Sequence, residues 1–516
     1  MNLTAEQARK DTLDKDLDKF VTVEEATGVL SRGLVAPGIS LLFIALAAVL
    51  ATYVASGETG AVVIIAAAAV GGYMALTIGA NDVTNNVSAA VGAKALTIGS
   101  ALVIAAIFET AGALIAGGDV VETISKGIVS PDAIPDAADF IWLMLAALLS
   151  SALWVHLATW IGAPVSTTHS IVGGVLGAGV AAAGVASVDW SVMAAIAASW
   201  VISPLAGGVL AASFLFLIKE TVIYRDNKIA AARVWVPFYI GVMGGSFATY
   251  LCTKGLKRVI DLDNGTLFIV AALATAACWL IAHRLVAWQS KGLENRNQSL
   301  RKLFRIPLVI SAALLSFAHG ANDVANAVGP LAAIVSAAQT GSVAGKVGIP
   351  LWVMLIGAVG ISLGLLLFGP KLVRMVGEQI TKLNPMRGFC VALSAALTVI
   401  VASGLGMPVS STHIAVGAVF GVGFFREWYT ANSKRRRRYL ERKAERLRLE
   451  RGTTGLADDD ESETPEDAAP LPREEIARRK LVRRAHVTTI VTAWVVTVPA
   501  SAALSAALFL ALEWFN

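Results

Sequence analysis

The chain has 516 residues, with 42 Lys+Arg against 37 Asp+Glu and a formal net charge of +5. At 56% hydrophobic and 15% charged residues, it is far more apolar than a soluble domain, which is about 25% charged; a soluble, nucleic-acid-binding or disordered protein is excluded. Its three cysteines, Cys252, Cys278 and Cys390, are too few and too scattered for a disulfide framework or a CxxC metal knot.

A bilayer core of about 30 Å needs about 20 apolar residues per helix. Residues 1–36 are polar and of mixed charge, with no leader-like apolar stretch before position 37, and read as a cytoplasmic arm. An extra N-terminal span follows at 37–57. Further spans are predicted at 60–79, 95–117, 140–162, 190–218, 236–253, 266–288, 348–369, 388–405 and 487–512, with short or broken segments at 165–185, 306–335 and 410–425. No ten-residue alternation is present, so a β-barrel is excluded. The basic linkers 219–233 and 289–305 belong on the cytoplasmic side, as does 370–387, while the acidic segment 119–139 belongs outside. Residues 426–485 are one large polar insert, read as a charged, partly helical cytoplasmic loop; binding to anionic lipid is its functional alternative.

The chain repeats itself. Residues 79–87 read GANDVTNNV and 320–328 read GANDVANAV; 163–170 read APVSTTHS and 407–414 read MPVSSTHI. Asp82 and Pro164 are 82 residues apart, Asp323 and Pro408 85. A weaker third match relates 199–218 to 493–512. The first repeat is then 60–218, the second 306–425 with 486–512, and the linker 219–305 carries two spans. The charge pattern brings the chain to the first GAND from outside and to the second from inside, so the copies are inverted. That parity requires two re-entrant hairpins, 140–185 and 388–425, tipped by the PVS motifs. The fold class is an all-α polytopic membrane protein of two inverted repeats with broken helices, an architecture of secondary transporters.

Asp82 and Asp323 lie in apolar surroundings, where an ionisable group is paired, hydrated or functional. With Asn81, Asn85, Asn322 and Asn326 they offer hard oxygen ligands suited to Na⁺, or carboxylates to carry H⁺; Gly79 and Gly320 are expected to let the backbone unwind. Against this stands a simple helix start capped by Asp. Ser166, Thr167 and Thr168, and Ser410, Ser411 and Thr412, follow Pro164 and Pro408 at helix starts. Their hydroxyls, with unpaired N–H groups at the positive end of the helix dipole, form an oxyanion site lacking basic side chains; ordinary N-capping is the plainer alternative. His169 and His413 occupy matched positions, and backbone hydrogen bonding at a bend is preferred to metal ligation. His319 matches Ile78 and reads as local. Glu109 either pairs with a neighbouring helix or joins an ion pathway, and Lys94 snorkels to the interface.

GANDVTNN and GANDVANA, paired with PVSTTH and PVSSTH, resemble the signatures of the PiT family of inorganic phosphate transporters over about 60–512. The resemblance implies cation-coupled phosphate symport by alternating access, a dimer in the bacterial inner membrane, cation sites at Asp82, Asn85, Asp323 and Asn326, and anion-binding hydroxyls at the hairpin tips. No cofactor is expected beyond the coupling ion, Na⁺ or H⁺. The family includes sulfate permeases. Phosphate keeps P–OH donors near neutral pH while an ionised carboxylate only accepts, so an Asp facing the anion favours phosphate. An intramembrane enzyme is disfavoured because no HExxH occurs. An anion channel is disfavoured by the two opposed tips. ATP-driven uptake lacks a P-loop.

Overall fold

In the computed structural model, residues 34–57, 60–130, 133–134, 136–163, 165–255, 262–343, 348–379, 383–451 and 484–514 are described. Nearly all of the arm 1–36, the position of Pro164 and the acidic part of the 426–485 insert lie outside them. Among the described residues eleven helices are long and apolar enough to cross a membrane. Such helices satisfy every backbone group internally, which lipid demands.

The helices are, in chain order, α1 Leu34–Val54, α2 Ala61–Gly92, α3 Ile98–Ala116, α4 Gly118–Glu122, α5 Ala137–Ile161, α6 Thr167–Ala183, α7 Trp190–Ile218, α8 Lys228–Tyr250, α9 Asn264–Gln289, α10 Asn297–Leu303, α11 Arg305–Asp323, α12 Ala325–Thr340, α13 Leu351–Gln379, α14 Pro385–Gly404, α15 Ser411–Asn432, α16 Lys434–Arg451 and α17 Arg484–Trp514. Local chemistry sets their starts. Asp136, Asp189, Asn227, Asp263 and Asn384 each accept a backbone N–H of the first turn. At Asp189, hydrogen bonds from the Ser191 side chain and the Val192 backbone hold the carboxyl below its ordinary range.

Helices α2, α5, α11, α12 and α14 form the interior, and α9 lies at its edge with Phe268, Ile269, Leu273, Leu280 and Ile281 exposed. In a membrane this face meets acyl chains. The inner helices interlace across the two motif copies. Helix α2 packs on α13, and α11 on α3; α6 packs on α17, and α15 on α7. The last two crossings are backbone-close: a Cβ on Gly177 would sit 2.1 Å from the Ala502 carbonyl oxygen, and one on Gly421 2.0 Å from that of Gly208. Without a side chain in the way, helices approach until backbones touch, which is how membrane helices gain packing energy.

Two expectations need correction. The first GAND motif does not unwind, because α2 runs unbroken through Gly79 and Asp82 to Gly92. In the second copy the interruption falls at Val324, beyond the motif glycine, and Val324 keeps right-handed φ −58°, ψ −31°, a joint in a nearly continuous rod. The glycines serve close approach instead. A Cβ on Gly79 would lie 1.9 Å from the Ile361 carbonyl oxygen of α13, and one on Gly320 2.1 Å from that of Glu109 in α3. Second, the segment expected at 410–425 continues as helix to Asn432, because apolar and aromatic residues persist to Tyr429. The insert 426–485, expected to be partly helical, carries helix in its first part. It opens with the end of α15 and then α16, clasped to the turn after α7: Arg435 pairs with Glu220, the Tyr429 hydroxyl donates to Glu220 at 2.5 Å, and Lys228 Nζ donates to the Tyr439 hydroxyl at 2.7 Å.

Candidate functional site

Each PVS motif sits on a hairpin turn built the same way. The first arm ends in a glycine with left-handed φ, Gly162 at 76° and Gly406 at 69°, a conformation open to glycine at little cost. Four residues later a serine caps the next helix: Ser166 Oγ accepts from the His169 N–H at 3.1 Å and Ser410 Oγ from the His413 N–H at 3.2 Å. For these two serines the plain capping reading describes the geometry. The two residues after each cap point elsewhere, into the centre of the bundle.

There the turns meet each other and both GAND motifs. Thr167 Oγ1 donates to Asp82 Oδ2 at 2.9 Å, and Ser411 Oγ donates to Asp323 Oδ2 at 2.9 Å. Thr412 Oγ1 donates to Asp82 Oδ1 at 2.9 Å and accepts from Asn85 Nδ2 at 2.7 Å. Its counterpart Thr168 donates to the Val409 carbonyl at 3.1 Å and accepts from Asn326 Nδ2 at 3.2 Å. Behind these, Asn81 reaches Thr159 at 2.9 Å and Asn322 reaches Ser403 at 2.8 Å. Matched residues therefore make matched bonds, except that Thr412 donates to an aspartate where Thr168 donates to a backbone carbonyl. The His169 and His413 rings meet edge to face at 4.3 Å, and His169 also packs on Trp200 at 3.8 Å.

Of the twelve predicted site residues, eleven are buried, with relative exposures of 3% or less, and Asn85 is half-buried. Such burial of carboxylates requires compensation. Hydroxyl and amide donors supply part, and His319 supplies more. Its Nε2 lies 2.8 Å from Asp323 Oδ2 and 3.9 Å from Asp82 Oδ2, and its Nδ1 lies 3.2 Å from Glu109 Oε1. Glu109 Oε1 also accepts from Asn86 Nδ2 at 2.5 Å. Reading His319 as local was therefore wrong: it joins both aspartates to a third buried acid. The signal was available in its spacing, since His319 and Asp323 share a helix face at i,i+4.

One ligand atom each from Asp82, His319 and Asp323 lie within 4.8 Å of one another. Buried oxygens Asn81 Oδ1 and Asn326 Oδ1 have no hydrogen-bond partner. Three acids around one imidazole, with spare amide oxygens, leave a buried centre short of positive charge. Carboxylate, amide and hydroxyl oxygens are the ligands hard cations select.

A multi-pass helical bundle with such a polar centre, placed between two helix N-termini, defines a membrane transport protein and not an enzyme. The chain belongs to the phosphate transporter family, whose model matches residues 78–505. It is 46% identical to a "Putative phosphate permease" of Helicobacter pylori over 97% of this chain and 99% of that protein. It is 40% identical to one of Thermococcus kodakarensis over 69% and 87% respectively. A solved structure described as "The sodium-dependent phosphate transporter" matches with TM-score 0.75 and 33% identity, covering 88% of this chain and all of that one.

Proposed function

We propose that this chain is a Na⁺-coupled symporter of inorganic phosphate, working by alternating access between two inverted repeats with re-entrant hairpins. The observation that carries this is the bonding of the tip hydroxyls of Thr167, Ser411 and Thr412 to the two aspartates. In this arrangement the carboxylates take the place of an anion as acceptors. A cation entering at Asn81, Asp82, Asn85, Asn322, Asp323 and Asn326 draws the carboxylate oxygens to itself. It thereby frees the tip hydroxyls, and the unpaired N–H groups of each first helical turn, to donate to phosphate. Ser166 and Ser410 contribute by holding those turns in shape. The cation also offsets the anion's charge, which makes cation-first binding the expected order.

Phosphate is favoured over sulfate because its P–OH groups can donate to Asp82 or Asp323, where sulfate brings only acceptors. The structural neighbour described as sodium-dependent supports Na⁺. One observation favours H⁺ as the second reading: His319 lies between Asp323 and Glu109, a proton-competent pair. A homodimer in a bacterial inner membrane belongs to the same proposal, with the arm 1–36, the extra helix 37–57, the linker 219–305 and the insert 426–485 as additions to the two repeats.

Labelled phosphate uptake into proteoliposomes tests the reading. A Na⁺ gradient is expected to drive accumulation that excess sulfate leaves unchanged. Uptake driven only by a proton gradient would transfer the coupling role to H⁺; accumulation of labelled sulfate would overturn the substrate. Thr412→Val keeps the side-chain shape and removes one hydroxyl. It should raise the half-saturation for phosphate roughly tenfold or more, a lost bond to a charged group being about 1.5–3 kcal/mol. An unchanged half-saturation would remove Thr412 from the anion site.

A further inference from the structure

We infer that a cleft at the basic end of the bundle, between the ends of α9 and α11, binds the phosphodiester head group of an anionic phospholipid. This inference does not rest on the transport reading. The cleft is a cavity of about 610 Å³. Trp288 and Gln289 at the end of α9, Lys302 of α10, and Arg305, Ile306 and Val309 at the start of α11 line it. It therefore lies where two membrane spans begin and end, at head-group depth.

Its chemistry is two-sided. Lys302 and Arg305 are its charged lining residues, and no acid lines it. Arg305 Nη2 donates to the Lys94 carbonyl at 3.1 Å, which fixes the guanidinium and leaves its other N–H groups for an anion. A fixed guanidinium beside a flexible ammonium suits a phosphodiester, whose one negative charge is shared by two non-bridging oxygens. Gln289 Oε1 is buried without a hydrogen-bond partner; an acceptor there suits a hydroxyl such as that of a glycerol head group. Ile306 and Val309, with Leu293 and Leu303, make part of the lining apolar, and Trp288, 69% exposed, stands where aromatic side chains mark a membrane interface. Inorganic phosphate shares the anionic chemistry and would satisfy the two cations. It has no use for the apolar lining, and this decides for the lipid. Basic pockets between membrane helices on the cytoplasmic side recognise such head groups.

The test is native mass spectrometry of the full chain in detergent, titrated with dioleoylphosphatidylglycerol or dioleoylphosphatidylcholine. Phosphatidylglycerol should be retained and phosphatidylcholine released. K302Q should weaken retention about fivefold and K302Q/R305Q about 30-fold, while R301Q, outside the cavity, leaves it unchanged. Because the double variant loses the bond to Lys94, K302Q alone decides if the double variant fails to elute as a folded species. Equal retention in wild type and K302Q, equal retention of both lipids, or an equal loss in R301Q would overturn the site. Displacement of phosphatidylglycerol by millimolar inorganic phosphate would overturn the lipid in favour of the free anion.

Discussion

Asp82→Asn is expected to cut phosphate uptake by at least about a hundredfold in protein that still elutes as a folded species. Asp82 accepts from Thr167 on one hairpin turn, and from Thr412 on the other together with Asn85. Its side chain is bonded to both turns. Asparagine keeps the shape but turns one oxygen into an NH₂ donor, so one hydroxyl meets a donor where it had an acceptor. It also removes one negative charge from the proposed cation site. Two charge-assisted bonds at about 1.5 kcal/mol each give about 3 kcal/mol, a factor of about 150. Asp323→Asn should act similarly, and it additionally strips His319 of its nearest partner at 2.8 Å. Proteoliposome uptake under a Na⁺ gradient measures both. Wild-type rates from Asp82→Asn would show that the carboxylate is not part of the transport site.

The second large effect falls on stability. Gly320→Ala places a methyl 2.1 Å from the Glu109 carbonyl oxygen and 2.7 Å from its Cα. Both are backbone atoms that no rotamer change can move. Helices α3 and α11 must separate, and overpacking of this kind costs about 3 kcal/mol or more. Separation also pulls Glu109 from His319, so uptake should fall with stability. Gly99→Ala is the control, with open space around the added methyl, and alanine there suits a helix slightly better than glycine. Thermal unfolding in detergent should show Gly320→Ala lowered by several degrees and Gly99→Ala unchanged. Equal midpoints would mean the two helices pack loosely enough to absorb a methyl.

Much of this architecture is visible in the sequence because lipid imposes long apolar runs, and because two motifs occur twice in the same order. Residues present in both copies were readily found: Asp82 with Asp323, Thr167 with Ser411, Thr168 with Thr412. His319 escaped for the same reason, since a comparison of copies discards whatever stands opposite Ile78. Glu109 could be flagged as a buried charge, but its partners Asn86 and His319 come from two other helices, and no local pattern links them. The glycines misled because one residue type serves two physical ends. Gly79 and Gly320 suggested a backbone free to unwind, whereas the space they vacate is filled by another helix's carbonyl. Only the position of α13 and α3, fixed by contacts far away in sequence, separates the two. Helix lengths were underestimated where polar motif residues such as Asn85 and Asn86 interrupt the hydropathy without interrupting the helix.

The interlacing of α6 with α17 has a consequence for biosynthesis. Ser501 Oγ donates to the Ser170 carbonyl at 2.6 Å, joining residues 331 positions apart, and the backbone of Ala502 lies closest to Gly177. While the ribosome is still making residues 180 to 480, the face of α6 at Gly173 and Gly177 lacks the helix that packs against it in the finished chain. The final helix then acts as a keystone, and a chain ending before residue 484 keeps both GAND motifs and both turns but cannot lock the first turn in place.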